Sequence, residues 1–365
     1  MKIELIGKTF VVMDNPDSLH NYFAWPTVTR LQNGKIAAVA SGYRVQHICA
    51  FGKAVISYSE DEGETFTRPA PVIDTPLDDR DAGILPFGEK NVVMTSFNNS
   101  RRFQRKEWWG VPQEYKNAYL DLVTDEQEEK YLAATFRFSR DCGVTWEKEI
   151  HHSPVTSPHG PLETRDGRLI WVGRAFSSPE REPEEAGIFA YAMNGENGEM
   201  TKLGKIPPCE PGTNALDCEP HAIELPDGRL LCHIRVQRDE DGVRVLMSTY
   251  QTESSDGGRT WTQPRRILST YGGYPAHLLM HSSGALITAY GVRRGAYAIR
   301  AAVSYDLGAT WQTDLSIWED GPNDDLGYPS TVELADGSLL TIFYGHFREE
   351  DPCIILGQKW RILPE

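Results

Sequence analysis

A chain of 365 residues, 40% hydrophobic and 10% aromatic, can bury a large core and reads as a soluble globular protein. Its net charge of −15 argues against nucleic acid or an anionic membrane surface as partner, since both need a basic footprint. No apolar run has the length of a signal peptide or a membrane span, so a cytoplasmic protein is expected, or a secreted one whose signal has been removed. Cys49, Cys142, Cys209, Cys218, Cys232 and Cys353 show no metal-ligand spacing and read as free thiols in a reducing compartment.

The first predicted element is "KTFVVMD" (8–14), an apolar strand that runs straight into a hairpin, "PTVTRLQNGKIAAVAS" from Pro26. That hairpin pairs two apolar strands across an Asn-Gly turn, and the octapeptide "SEDEGETF" follows from Ser59. The pattern repeats with "AGILPFGEKNVVMTSF" from Ala82 and "SRDCGVTW" from Ser139. A third hairpin, "GPLETRDGRLIWVGR" from Gly160, is followed by the looser "AMNGENGEM" from Ala192. The fourth and fifth, from Pro220 and Pro275, precede "SSDGGRTW" from Ser254 and "SYDLGATW" from Ser304. The sixth, from Pro329, has one strand after it, "CIILGQKWRIL" from Cys353.

Each octapeptide has the composition of a turn. Its Asp accepts from backbone N–H groups, its Gly allows positive φ, and its aromatic anchors the turn by burial. The hairpin together with the octapeptide that follows it gives units of four strands, A to D from the axis outward, at about 60 residues per unit. The fold class expected is all-β, a six-bladed β-propeller forming one domain over residues 1–365. The N-terminal strand supplies the missing outer strand of the sixth blade and so removes an open edge.

With A–B turns and octapeptides on one face, the D-to-A and B-to-C connections meet on the other, where function belongs. The D-to-A connections carry His20, Trp25, Asp79, Arg80, Asp81, His159, Asp217, Glu219, Tyr274, Asp324, Asp325 and Tyr328. The B-to-C connections begin with Arg44 and His47, Arg101 and Arg102, Arg174, Arg235, Arg293 and Arg294, and His346 with Arg348. An arginine from every blade, in an acidic protein, points to a bound anion such as a ligand carboxylate. The alternative for individual arginines, Arg348 first, is a salt bridge that ties a loop. The long loop 98–130 carries Trp108 and Trp109, either as a lid of sugar-stacking rings or as a contact for a homo-oligomer. No H-x-x-x-H or similar spacing links His20, His47, His159, His221, His277 and His346, so neither a metal nor another cofactor is called for.

The octapeptide resembles the Asp-box of the sialidase superfamily, and the resemblance extends over nearly the whole chain. In "CEPHAIELPDGRLLCHIR" the match implies that Glu219 is the catalytic glutamate and Arg235 a carboxylate-binding arginine. In "YPSTVELADG" it makes Tyr328 the nucleophile, and at the end of the first B strand it makes Arg44 an active-site arginine. Arg293 or Arg294 stands for a further arginine. "FAWP" departs from the family's Phe-Arg-Ile-Pro, with Ala24 in place of arginine and Trp25 after it. "RVQHICAFGK" lacks the family's acid Asp, leaving His47, Asp79 or Asp81 as proton donor. Arg80, Arg174, Trp25, His159 and Tyr274 complete the expected substrate contacts.

The chemistry of that set is coherent. A phenol is a poor nucleophile at neutral pH, but a carboxylate can take its proton as it attacks an anomeric carbon. The function expected is an exo-acting glycoside hydrolase that releases a terminal, acidic sugar from an oligosaccharide. A uronate-specific lyase and a non-catalytic sugar-binding propeller are the alternatives.

Overall fold

In the computed structural model, which describes residues 2–106, 113–269 and 273–363, six sheets follow one another along the chain as the blades of a propeller. The first contains Tyr22–Arg30, Ile36–Arg44, Lys53–Ser59 and Ala70–Ile73. In the second the strands are Asp78–Phe87, Asn91–Asn99, Ala134–Ser139 and His151–Ser153. The third has a divided A strand, Val155–Thr156 and Leu162–Glu163, before Leu169–Ala175, Ile188–Met193 and Met200–Lys205. Leu216–Glu224, Leu230–Glu240, Val243–Ser254 and Arg265–Arg266 make the fourth. The fifth runs His277–Met280, Leu286–Val292, Ala298–Ser304 and Gln312–Trp318. The B strands read as near-continuous apolar runs because each is buried on both faces between neighbouring blades.

The sixth blade joins Gly327–Glu333, Leu339–Gly345 and Ile354–Leu363 to Lys2–Met13 from the other end of the chain, as the sequence predicts. The closing strand starts at Lys2 rather than at residue 8. Its register runs from Lys2 opposite Leu363 to Met13 opposite Ile355, so it matches the full length of its partner. Ile3 packs on the Trp360 cluster and Met13 lies in the core beside Phe23.

In blades one, two and four the A strands begin four residues earlier than the hairpin pattern implies, and in blade six two residues earlier, which moves several expected loop residues into strands. The pairing passes from Ala24–Ser41 to Thr27–Val39, from Arg80–Phe97 to Gly83–Thr95, from Cys218–Arg235 to His221–His233, and from Gly327–Tyr344 to Ser330–Ile342. At each step two residues oppose one, which is a β-bulge. The first bulged residue has positive φ every time: Trp25 at 54°, Asp81 at 47°, Glu219 at 50° and Tyr328 at 48°. Such a conformation costs a non-glycine residue about 1–3 kcal/mol. In three of the four the next residue is Pro, which has no N–H to leave unpaired at the bulge.

The Asp-boxes turn the chain between C and D strands. In the first, Ser59 Oγ donates to Asp61 Oδ1 at 2.7 Å, and Asp61 accepts from Thr65 N at 2.9 Å. Asp141, Asp256 and Asp306 repeat these bonds. Each box packs on the preceding blade, so a Cβ on Gly63 would lie 2.7 Å from Leu340 Cδ2, and one on Gly308 2.6 Å from Leu231 Cδ1. The looser third turn does the same, with Gly195 against Phe87 and Gly198 against Phe136.

The 98–130 loop contains three short helices: α1 (Arg101–Lys106), α2 (Gln113–Leu120) and α3 (Asp125–Tyr131). Arg101 is engaged inside this insertion by Glu128 and Asp125. The insertion leans on the rim of the first two blades through Tyr115 and Tyr119 against Phe51, and through Gln104 Nε2 donating to Asp78 at 2.7 Å. Trp108 and Trp109 lie outside the described residues.

Candidate active site

The bulges of blades four and six bring Glu219 and Tyr328 together on the loop face. The Tyr328 hydroxyl donates to Glu219 Oε1, and Arg235 Nη1 reaches Glu219 Oε2 at 2.6 Å and the Tyr328 oxygen at 3.4 Å. Arg235 is placed there as the cross-strand neighbour of Cys218. Tyr328 is buried, and burial, then the negative charge of Glu219, hold its phenol well above the ordinary value of 10. Its proton therefore stays in place at neutral pH, with Glu219 as its immediate acceptor.

Arg293 comes from the end of the fifth B strand and Arg294 does not reach the same place. Arg293 donates from Nε to the Leu326 carbonyl and from Nη2 to the Tyr344 hydroxyl, each at 2.6 Å. Its guanidinium lies 4.2 Å above the Tyr274 ring, whose centre is 5.0 Å from the guanidinium of Arg235. Arg294 is exposed and donates to the Arg244 carbonyl.

On the blade-one side Trp25 stands 6.4 Å from the Tyr328 ring, while Ala24 is buried in the core. Arg80 stacks on Trp25 at 3.8 Å and donates to the His47 carbonyl at 3.0 Å. Arg44 is wholly buried. Its guanidinium is spent on Asp78, on Ser41 Oγ at 2.8 Å and on carbonyls of the loop after its strand, so it braces that loop from inside. His47 is held through Nδ1, 2.9 Å from Asp325 Oδ1 and 3.0 Å from Tyr22 Oη, and Tyr22 donates to the other Asp325 oxygen at 2.8 Å. Burial lowers the His47 pKa against the pull of Asp325, so the ring is neutral at pH 7.

The two aspartates of "PLDDRDAG" have different surroundings. Burial pushes both up to about 7. Asp79 is enclosed, accepting from Thr75 N at 2.7 Å and Thr75 Oγ1 at 2.9 Å. Asp81 sits on its bulge and lines a cavity of about 210 Å³ with Glu219, Arg235, Arg174 and Gln237. Its Oδ1 is buried with no hydrogen-bond partner among the described residues. Arg174 is half-buried on the same wall, and its guanidinium makes no hydrogen bond or ion pair among the described residues.

His159 is not on this face. It sits on the axis with His221 and His277, ring centres 4.5–5.2 Å apart, in a hollow of about 540 Å³ lined by A strands of all six blades. A still larger recess of about 860 Å³ lies between blades two and three, beside the A–B turns. Size therefore does not identify the site; the convergence of titratable groups does. Among the described residues, no group of three or more His, Cys, Asp or Glu side chains has the geometry to hold a metal ion.

Sequence reasoning passed over Gln237, Tyr344 and Tyr22. Gln237 was accessible to it, since a residue two beyond Arg235 in a strand shares its face. Tyr344 and Tyr22 carry no local signal, because each acts through a partner distant in sequence.

Among solved structures, the chain resembles a protein of unknown function from Dyadobacter fermentans at 18% identity, TM-score 0.77, covering 99% of both chains. It resembles the intramolecular trans-sialidase of Ruminococcus gnavus at 14% identity, TM-score 0.64, covering 97% of this chain and 96% of that one. The alpha-L-arabinanase of Penicillium chrysogenum matches at 15% identity, TM-score 0.62, covering 96% and 98%. At such identities the likeness is one of fold. No curated protein matches the sequence. Residues 26–341 match the BNR repeat-like domain, and the chain belongs to that family.

Proposed function

We propose that this protein is an exo-acting glycoside hydrolase of the sialidase superfamily that releases a terminal, acidic sugar. The observation that carries the reading is the contact of the Tyr328 hydroxyl with Glu219, both within reach of Arg235. The Tyr328 oxygen attacks the anomeric carbon as its proton passes to Glu219. The bond to the leaving oxygen breaks, and that oxygen takes the proton of Asp81. Water then attacks the anomeric carbon, its proton goes to Asp81, and Tyr328 leaves and recovers its proton from Glu219. Arg235 stabilises negative charge on the phenol oxygen during both steps. The sugar-processing enzymes among the fold neighbours support the same class of reaction.

The test is covalent trapping. A 2-fluorinated glycoside, whose intermediate decays slowly, is expected to leave a sugar on Tyr328, located by peptide mass spectrometry. Because nucleophile and base act as one unit, adding Glu219→Gln to Tyr328→Phe is expected to cost little further rate. An adduct on Asp81 would keep the hydrolase and overturn these roles.

A uronate lyase is the second reading, favoured by His47, whose orientation by Asp325 and neutral ring suit proton abstraction. It yields an unsaturated product absorbing in the ultraviolet and no adduct.

A further inference from the structure

Two places near Tyr328 can receive an anion, and their hydrogen-bonding capacity differs. Beside the nucleophile stand Arg235 and Arg293. Arg293 spends Nε and Nη2 on the Leu326 carbonyl and the Tyr344 hydroxyl. Arg235 spends Nη1 on Glu219 and Tyr328 and Nη2 on Gln237 at 2.8 Å. Blade one adds no cation there, because Ala24 is buried and Trp25 fills the space. Arg293 Nη1 and Arg235 Nε have no acceptor among the described residues, so a carboxylate on the anomeric carbon itself, as in a sialoside, would meet two guanidinia that are already partly engaged.

The wall of the 210 Å³ cavity is the opposite case. Arg174 has its whole guanidinium uncommitted among the described residues. The Gln237 side-chain carbonyl accepts from Arg235 and from Arg244, which leaves its amide N–H groups without a partner among the described residues. Arg235 Nε is buried and lacks an acceptor among the described residues. This wall offers donors from two side chains, Arg174 and Gln237, and one unneutralised positive charge. Glu219, which accepts from the Tyr328 hydroxyl, and Asp81 line the same cavity. Such a volume is below the range of about 300–1,000 Å³ typical for drug-sized ligands and suits a single sugar ring.

We infer that the acidic group this site selects is a carboxylate on the exocyclic carbon of the terminal sugar, bound by Arg174, and that the substrate class is a glycoside of a hexuronic acid. The inference rests on the hydrolase reading for the bond that is cut, but the anion seat is a binding property and can be measured alone. A ring held in this cavity with its anomeric carbon beside Glu219 and the Tyr328 hydroxyl shares the cavity wall with Arg174. A sulfate ester on the same carbon offers the same oxyanion geometry and is the competing source.

The experiment compares 4-nitrophenyl α- and β-glucuronides and galacturonides with the matching neutral hexosides, their 6-sulfates and a 4-nitrophenyl sialoside. Hydrolysis is expected for one uronide in preference to its neutral counterpart. Arg174→Met is expected to lower kcat/KM on that uronide by on the order of 10- to 100-fold, the weight of a charge-assisted hydrogen bond, and so to narrow or abolish the preference over the neutral hexoside. Should Arg174→Met fail to fold, the melting temperature of the unmutated protein gives the same answer. Free glucuronate or galacturonate is expected to raise it and glucose or galactose not. Equal shifts by neutral and acidic sugars overturn the inference. A sialoside cut with no dependence on Arg174 overturns it while sparing the hydrolase, and preference for the 6-sulfate overturns the carboxylate assignment. If uronate raises the melting temperature but nothing is hydrolysed and Tyr328 is not labelled, the anion seat stands and the hydrolase reading fails.

Discussion

Asp81 shows how far a single side chain was legible before folding. An aspartate among arginines is expected to ionise, and the sequence offered Asp79, Asp81 and His47 as donors without a way to rank them. Position ranks them: Asp79 is held by Thr75, whereas Asp81, on its bulge, lines the cavity with Glu219. A carboxyl raised to about 7 holds its proton below that pH and yields it above. Activity is therefore expected to fall as pH rises through about 7. Asp81→Asn is expected to remove that limb and to cut turnover by roughly 10²–10⁴-fold on substrates with poor leaving groups. Aryl glycosides with acidic phenols, which leave without protonation, should be much less affected. Equal losses on both kinds of substrate would assign the donor elsewhere.

At the scale of the strand and turn, the four Asp-boxes were the clearest writing in the sequence, because every conformational demand falls within eight consecutive residues. The structure adds why each copy keeps its glycine. The residue before it, Glu62, Cys142, Gly257 or Leu307, and the glycine itself both have positive φ, and the glycine meets the neighbouring blade. The boxes are thus fasteners between blades, far from Tyr328. Asp256→Ala is expected to lower stability by roughly 1 kcal/mol, the cost of deleting an exposed helix-cap aspartate that accepts comparable N–H bonds. Gly308→Ala should cost more, since it adds a Cβ at φ 87° within 2.6 Å of Leu231. Urea denaturation with turnover per folded molecule checks both, and a selective loss of turnover at unchanged stability would refute the structural role. The A-strand bulges were not read, although "WP", "EP" and two "YP" pairs begin four of the hairpins. A two-residue mark is too short to separate a bulge inside a strand from a turn before one, so Trp25, Glu219 and Tyr328 were assigned to connections.

For the ring as a whole, closure was legible because counting strands leaves the sixth blade one short. Removing residues 2–13 uncovers the edge of Ile354–Leu363 and the core beneath Met13, so aggregation or a marked fall in melting temperature is expected. A truncated chain that melts like the full one would contradict this. What the axis contains was not legible, since His159, His221 and His277 are each about sixty residues apart and meet only when six blades close. Thr27 Oγ1 lies 3.0 Å from His159 Nδ1, and Leu278 N donates to His221 Nδ1 at 2.9 Å. Burial lowers the pKa of all three, that of His221 from 6.5 to about 3, with the neighbouring imidazoles adding to the effect at His159 and His277. Groups that are neutral when folded but bind protons near pH 6.5 when unfolded contribute stability that is complete above that pH. It is lost as pH falls toward their folded values. The melting temperature is therefore expected to decline from about pH 6, before carboxylates with ordinary values near 4 protonate. His221→Asn keeps an acceptor for Leu278 N and removes one titrating ring. It should melt lower at pH 8 but lose less on acidification to pH 5 than the parent, and an unchanged acid slope would show that the axial histidines do not govern the acid stability of the ring.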